Sequence, residues 1–234
     1  MGRVASGRVG ALTALTAEIV DCRACPRLVE WRERVALEKR AAFRDETYWG
    51  RPVPGFGDPA ARVLIVGLAP AAHGGNRTGR IFTGDRSGDW LFGALHRTGY
   101  ANQATSVSAD DGLELRDAYV AAAVRCAPPA NKPTPEERDR CLPYLVRELA
   151  LLERVRVIVV LGKFAYDATA RVLATSGSPL PSPRPPFGHG VEVASDRAIV
   201  VGCYHPSQQN TFTGKLTEPM LDDVFARARA LSGD

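Results

Sequence analysis

The chain reads as an α/β protein, a three-layer α/β/α arrangement around a central parallel sheet of four strands. Three observations predict this. Four apolar runs rich in β-branched residues occupy residues 62–68, 118–126, 155–162 and 198–206. Each run is continuous rather than alternating, as strands buried on both faces require. Helix-like segments separate them, and strands that alternate with helices build parallel sheets covered on both sides. With 234 residues, 45% of them hydrophobic, the chain can bury one sizeable core, and residues 1–234 are expected to form a single domain.

In chain order, the N-terminus is expected to supply one helix from about Ala11 and another from Pro26. RVLIVGL is the first strand and runs into GLAPAAHGG, after which a helix starts at Ser87. AYVAAAVRC is the second strand and ends in RCAPPANKP. Thr134, Pro135 and Glu137 then form a capping box with proline at the first helical position. Pro143 lies deep enough in that segment to predict two helices, or a kink near Cys141. VRVIVVLG is the third strand, followed by a helix from Lys163; AIVVGCYHP is the fourth, followed by YHPSQQN and a last helix from Thr217, with Pro219 close behind. Proline-rich stretches at 52–59, 128–135 and 181–186 read as ordered loops. Ligands of such sheets gather beyond the carboxyl ends of the strands. All four post-strand loops fall on that edge, which argues for one cleft.

Thirty Lys and Arg against 26 acids give a net charge of +4, which suits a DNA-handling enzyme without requiring one. No apolar run approaches the roughly 18 residues of a membrane span, and Glu18 and Asp21 stand where a signal peptide would be apolar. A soluble, cytoplasmic protein with no membrane partner is expected. GGNRTGRI at 74–81 matches a phosphate-binding loop at both glycines, but Arg80 replaces its lysine and Ile81 its magnesium-binding hydroxyl residue. GFGDPA at 55–60 precedes its strand, where a dinucleotide fingerprint must follow. Neither a nucleotide cofactor nor a magnesium requirement is expected.

Five cysteines stand at 22, 25, 126, 141 and 203. In an intracellular chain the Cys22–Cys25 C-x-x-C pair, with Cys126 and Cys141, favours metal ligation over disulfides. Four thiolates suit either zinc or an iron–sulfur cluster, and the spacing admits both. Cys203, inside an apolar strand, reads as a buried core thiol.

Three ordered blocks, GLAPAAHGGNRTGRIFTGDRSGDWLF at 67–92, RCAPPANKPTPEE at 125–137 and HPSQQNTFTGKL at 205–216, together with the C-x-x-C pair, resemble family 5 of the uracil-DNA glycosylase superfamily, the B-type enzymes. The likeness runs from Cys22 to the last helix. It implies a monofunctional DNA repair glycosylase that hydrolyses the N-glycosidic bond of uracil, and of hypoxanthine and other deaminated bases, leaving an abasic site. It also implies a structural four-iron, four-sulfur cluster on Cys22, Cys25, Cys126 and Cys141. The competing class is a non-catalytic iron–sulfur module for nucleic-acid binding or redox work. Lys163, after the third strand, is the amine that would contradict hydrolysis without a Schiff base.

Such an enzyme flips its base into a pocket and stabilises positive charge on the sugar and negative charge on the departing base. The resemblance implies that Asp85 and Asn131 orient the attacking water, with Asp85 the base or electrostatic stabiliser, and that His205 donates to the base. As plain sequence, Asp85 also reads as a helix N-cap and Asn131 as a turn residue. Phe82 is the expected stacking platform. Gly67, Leu68 and Ala69 line the pocket, with His73 and Asn76 as further base or phosphate contacts. Ser207, Gln208, Gln209, Asn210, Phe212 and Lys215 are the expected DNA contacts, Phe212 as a wedge. Ala69 stands where other families of the superfamily place Asn or Asp, which implies reliance on Asp85 and a less exclusive pocket. The partner is uracil-containing DNA, bound by a monomer in the nucleoid.

Overall fold

The computed structural model describes residues 2–233. Helices α1 (Gly2–Val20) and α2 (Pro26–Glu38) lead into strand β1 (Phe56–Gly57). Strand β2 (Val63–Gly67) is followed by the single helical turn α3 (Gly75–Thr78) and by α4 (Arg86–Arg97). Then come β3 (Ala118–Ala122), α5 (Pro135–Leu151), β4 (Val157–Leu161) and α6 (Lys163–Thr175). The chain closes with β5 (Glu192–Ala194), β6 (Ile199–Cys203), α7 (Gln208–Phe212) and α8 (Glu218–Ser232).

The sheet order is β1-β3-β2-β4-β6-β5. The four expected strands are its parallel centre, in register as Ile65↔Val120, Ile65↔Val159 and Val159↔Val201. The sheet has six strands rather than four because β1 and β5 pair antiparallel on the two edges. Alternate residues of each buried run face opposite layers, as the period of a strand dictates. Val63, Ile65, Val157 and Val159 pack with Leu91, Phe92, Val224 and Phe225 of α4 and α8. Leu64, Val66, Ile158 and Val160 pack with Leu145, Leu149, Tyr166 and Val172 of α5 and α6. The continuous apolar runs are thus explained by two covering layers.

Helix α5 begins at the expected capping box, with the Thr134 side chain accepting from the Glu137 backbone N–H and the Glu137 carboxylate from that of Thr134. It does not break at Pro143, contrary to expectation. Pro143 lies on the exposed face, and so does Asp139, whose carbonyl loses its partner there, so water can satisfy it. Cys141, Leu145 and Leu149 anchor both sides of the proline in buried surface. Among the described residues no helix is long and apolar enough to cross a membrane.

Candidate active site

A cavity of about 690 Å³ opens at the carboxyl edge of the sheet. Leu68, Ala69 and His73 enter it from the loop after β2, Asn131 from the loop after β3, and His205 with Ser207 to Gln209 from the segment after β6. Phe82 and Asp85 enter from the segment leading into α4, and Arg86 and Ser87 from its first turn. Three of the four expected loops therefore meet. The loop after β4 contributes no lining residue, and Lys163, the first residue of α6, is exposed and paired with Asp167 at 2.6 Å.

Asp85 is both a pocket carboxylate and the N-cap of α4: its Oδ1 accepts from the Gly88 backbone N–H at 3.0 Å. Burial raises its pKa above the usual aspartate value, against the lowering effect of the Gly88 and Ser87 backbone N–H groups. The carboxylate fits because residue 74 is glycine. A Cβ there would lie 2.9 Å from Asp85 Cγ and closer still to Oδ2. Phe82 has φ +53°, the left-handed region, which strains a bulky residue by about 1–2 kcal/mol. Its ring lies 5.9 Å from that of His205 at 35°. Gly67 lies behind Phe82, since a Cβ on it would meet the ring at 2.7 Å, so it makes room for that ring and does not itself line the cavity.

Burial pushes the His205 pKa down to about 4, so the imidazole is neutral at physiological pH. An unfolded histidine binds its proton at about 6.5. Between those values the unfolded chain holds the extra proton, so this group's stabilisation is complete above about 6.5 and is lost as pH falls toward 4. His205→Gln should accordingly lose less unfolding stability than the wild type between pH 7 and pH 4.5, as read by denaturant titration. Equal losses would show that His205 does not titrate on unfolding.

Asn131 lies exposed on the rim with φ +55°, a backbone region that asparagine tolerates. His73 is held by the Tyr48 hydroxyl, 3.0 Å from its Nδ1, and its pKa is lowered by burial and by the charges of Arg40 and Arg77. Asn76 is fully buried and outside the cavity: its Nδ2 donates to the Arg32 carbonyl at 3.2 Å, tying the pocket loop to α2. Asn210 also turns inward, donating to the His205 carbonyl at 2.9 Å. Phe212 is 66% exposed beneath the Arg86 guanidinium, and the Lys215 ammonium lies over the Tyr204 ring at 4.8 Å. Arg80, the residue that spoiled the phosphate-loop match, is buried and bonded to Asp111, Thr83 and Ser106. It braces a neighbouring loop and faces no ligand site.

The thiols form a second centre behind this pocket. Cys25, Cys126 and Cys141 share an apolar cluster with Leu28 and Val124, against which Ala69 of the pocket also packs. Cys22 joins them through Arg32, whose guanidinium donates both to the Cys22 carbonyl and to Cys126 Sγ. Burial pushes Cys126 up to about 11 and Cys141 up to about 12. Among the described residues no three ligating groups close on a single ion. Bonds that need no ligand hold the surroundings: Arg27 binds Glu137 at 2.7 and 2.6 Å, and Arg147 pairs with Glu18. Cys203 packs in the sheet core, as expected.

Residues 54–229 match the Uracil DNA glycosylase superfamily. Over 230 residues the chain is 55% identical to a Mycobacterium bovis protein named type-5 uracil-DNA glycosylase, spanning 97% of this chain and 84% of that one. The chain belongs to the type-5 uracil-DNA glycosylases. A type-5 relative from Thermus thermophilus is 50% identical over 222 residues, 94% of this chain and 98% of its own. A type-4 uracil-DNA glycosylase from Archaeoglobus fulgidus is 32% identical over 177 residues, 75% and 79% of the two chains.

In this type-5 chain two pocket residues, Arg40 and Phe43, precede the superfamily match. Nothing in their local sequence marks them, because only the return of the chain from α2 brings them to the cavity. Arg86, Ser87 and Gly74 were also missed, although their neighbours were identified. The two residues after an N-capping pocket aspartate necessarily begin on the same edge.

Proposed function

We propose that the protein excises uracil from DNA by hydrolysis, with Asp85 the group that activates water. The observation that carries this is the convergence of Asp85, Phe82, His205 and Asn131 on one cavity from three separate loops. A flipped base would stack on Phe82, a contact of about 1–3 kcal/mol, with the Leu68–Ala69 segment beside it. As the glycosidic bond breaks, negative charge grows on the base, and the neutral His205 ring donates a hydrogen bond to it. A proton donor of low acidity is suited to stabilising that charge without protonating the base outright. Asp85 holds water on the sugar side, and its raised pKa moves it toward the range in which a carboxylate accepts a proton. Asn131 helps orient that water from the rim.

Ala69 brings only a methyl group to the wall. A wall that makes no hydrogen bond there has no polar group to leave unpaired when the base changes, so hypoxanthine and related deaminated bases are accepted with uracil. Ser207, Gln208 and Gln209 on the rim, with Phe212 and Lys215 nearby, contact the DNA. In this reading the whole chain is one domain acting as a monomer on DNA in the nucleoid. Cys22, Cys25, Cys126 and Cys141 would hold a four-iron, four-sulfur cluster: four soft thiols suit iron, and Cys25, Cys126 and Cys141 lie together in an apolar shell. Its contribution when bound would be structural: it would join the N-terminus of α2, the loop after β3 and α5 behind the Ala69 wall.

Incubation with a uracil-containing duplex in chelator, then alkali, should break the strand at uracil. Intact strands with both uracil and hypoxanthine would overturn the proposal. Arg40 has no ion-pair partner among the described residues. Arg40→Gln should raise KM and reduce the salt slope of binding by about 1 if it meets a phosphate.

A further inference from the structure

Two arginines are fully buried near the thiols, and they differ in one respect. Arg125 is paired with the buried carboxylate of Glu148. Arg32 is 2% exposed and has no buried carboxylate. Its nearest acid, Glu33, lies 3.8 Å away, is 41% exposed and is engaged by Arg23. The Arg32 guanidinium instead donates to Cys126 Sγ at 2.9 Å and, through both terminal nitrogens, to the Cys22 carbonyl at 3.2 Å. Its Nε–H finds no acceptor.

A guanidinium stays protonated in any protein environment, and a buried charge without a counter-charge costs several kcal/mol. Besides the half-exposed Glu33, which Arg23 already engages, the group beside Arg32 that can carry negative charge is the Cys126 thiol it hydrogen-bonds. We propose that Arg32 is the counter-cation of the thiolate set, donating to Cys126 and fixing the Cys22 backbone, so that the four sulfurs retain their metal group. This rests on the reading of the four cysteines as ligands. Arg32 touches a ligand and not the metal, which makes it a positioning residue. Partners of this kind change metal affinity on the order of 10–100-fold.

The test is metal retention by the purified holoprotein, read from iron per chain and from decay of the visible sulfur-to-iron absorbance after dilution into chelator. Arg32→Gln should lose the absorbance on the order of 10–100-fold faster than wild type and shift its band. Arg32→Lys, which keeps the charge but not the fork, should fall between. A second measurement separates this role from ordinary packing. Stripped of metal, Arg32→Gln should be at least as stable as the stripped wild type, because it removes a buried guanidinium whose one acid neighbour, Glu33, is half-exposed and engaged elsewhere; a loss of stability equal in the stripped and loaded proteins would mean that Arg32 serves packing alone. Loaded wild type with Arg32→Gln decaying at the same rate overturns the assignment of Arg32 alone. Wild-type protein that binds no iron overturns the cluster reading and this one with it.

Discussion

Asp85→Asn should lower the single-turnover rate of uracil excision about 10²- to 10⁴-fold, the range of general base catalysis, while the protein melts within a few degrees of wild type. The choice of asparagine matters because Asp85 has two roles. It caps α4 through the Gly88 backbone N–H, and asparagine caps a helix about as well as aspartate. What asparagine lacks is the charge and the capacity to take a proton. A loss of rate without a loss of stability is therefore chemical. Asp85→Ala would remove both and cost about 1 kcal/mol of capping besides. The pH profile gives a second readout. Because burial raises the Asp85 pKa, wild-type activity should fall on the acid side as the carboxylate protonates, above the usual aspartate range, and Asp85→Asn should lack that limb. An unchanged rate would remove Asp85 from the mechanism and leave it as a cap.

The legible parts of the fold were those that long burial dictates. Each central strand is apolar at every position because α4 and α8 cover one face and α5 and α6 the other. Strands β1 and β5 have two and three residues and join the sheet only by edge pairing, so no periodicity marks them. Pro143 misled because a helix-breaking rule is local, whereas the buried residues flanking it are held by tertiary packing. The same division runs through the site. Asp85, Phe82 and His205 were identified on loops that the parallel sheet sends to one edge. Asn76 was misplaced because an amide in a glycine-rich loop looks the same in sequence whether it faces a cavity or, as here, the backbone of Arg32. Arg80 shows the converse. Its near-match to a phosphate loop is explained by a buried pair with Asp111, an interaction between residues 31 positions apart that no local pattern encodes.

Gly74→Ala should cost nearly as much activity as losing the carboxylate, although the added methyl carries no chemistry. The Cβ would stand 2.9 Å from both Cβ and Cγ of Asp85 and closer to Oδ2. Such contacts require the carboxylate to move, and a displacement of about 1 Å at a catalytic group costs on the order of 10² in rate. Asp85 cannot yield as a flexible chain end would, because its Oδ1 is fixed to the first turn of α4. The loop bearing Gly74 is held as firmly, since the backbone N–H groups of Gly74 and Asn76 donate back to the Ala71 carbonyl and the Asn76 side chain donates to that of Arg32. The effect should appear in kcat rather than KM, because the Phe82 platform is untouched. The double variant Gly74→Ala/Asp85→Asn decides the cause. If the methyl acts by displacing the carboxylate, the two losses are not additive and the double variant is little worse than Asp85→Asn alone. Additive losses would mean that Gly74 serves the pocket by a route other than Asp85.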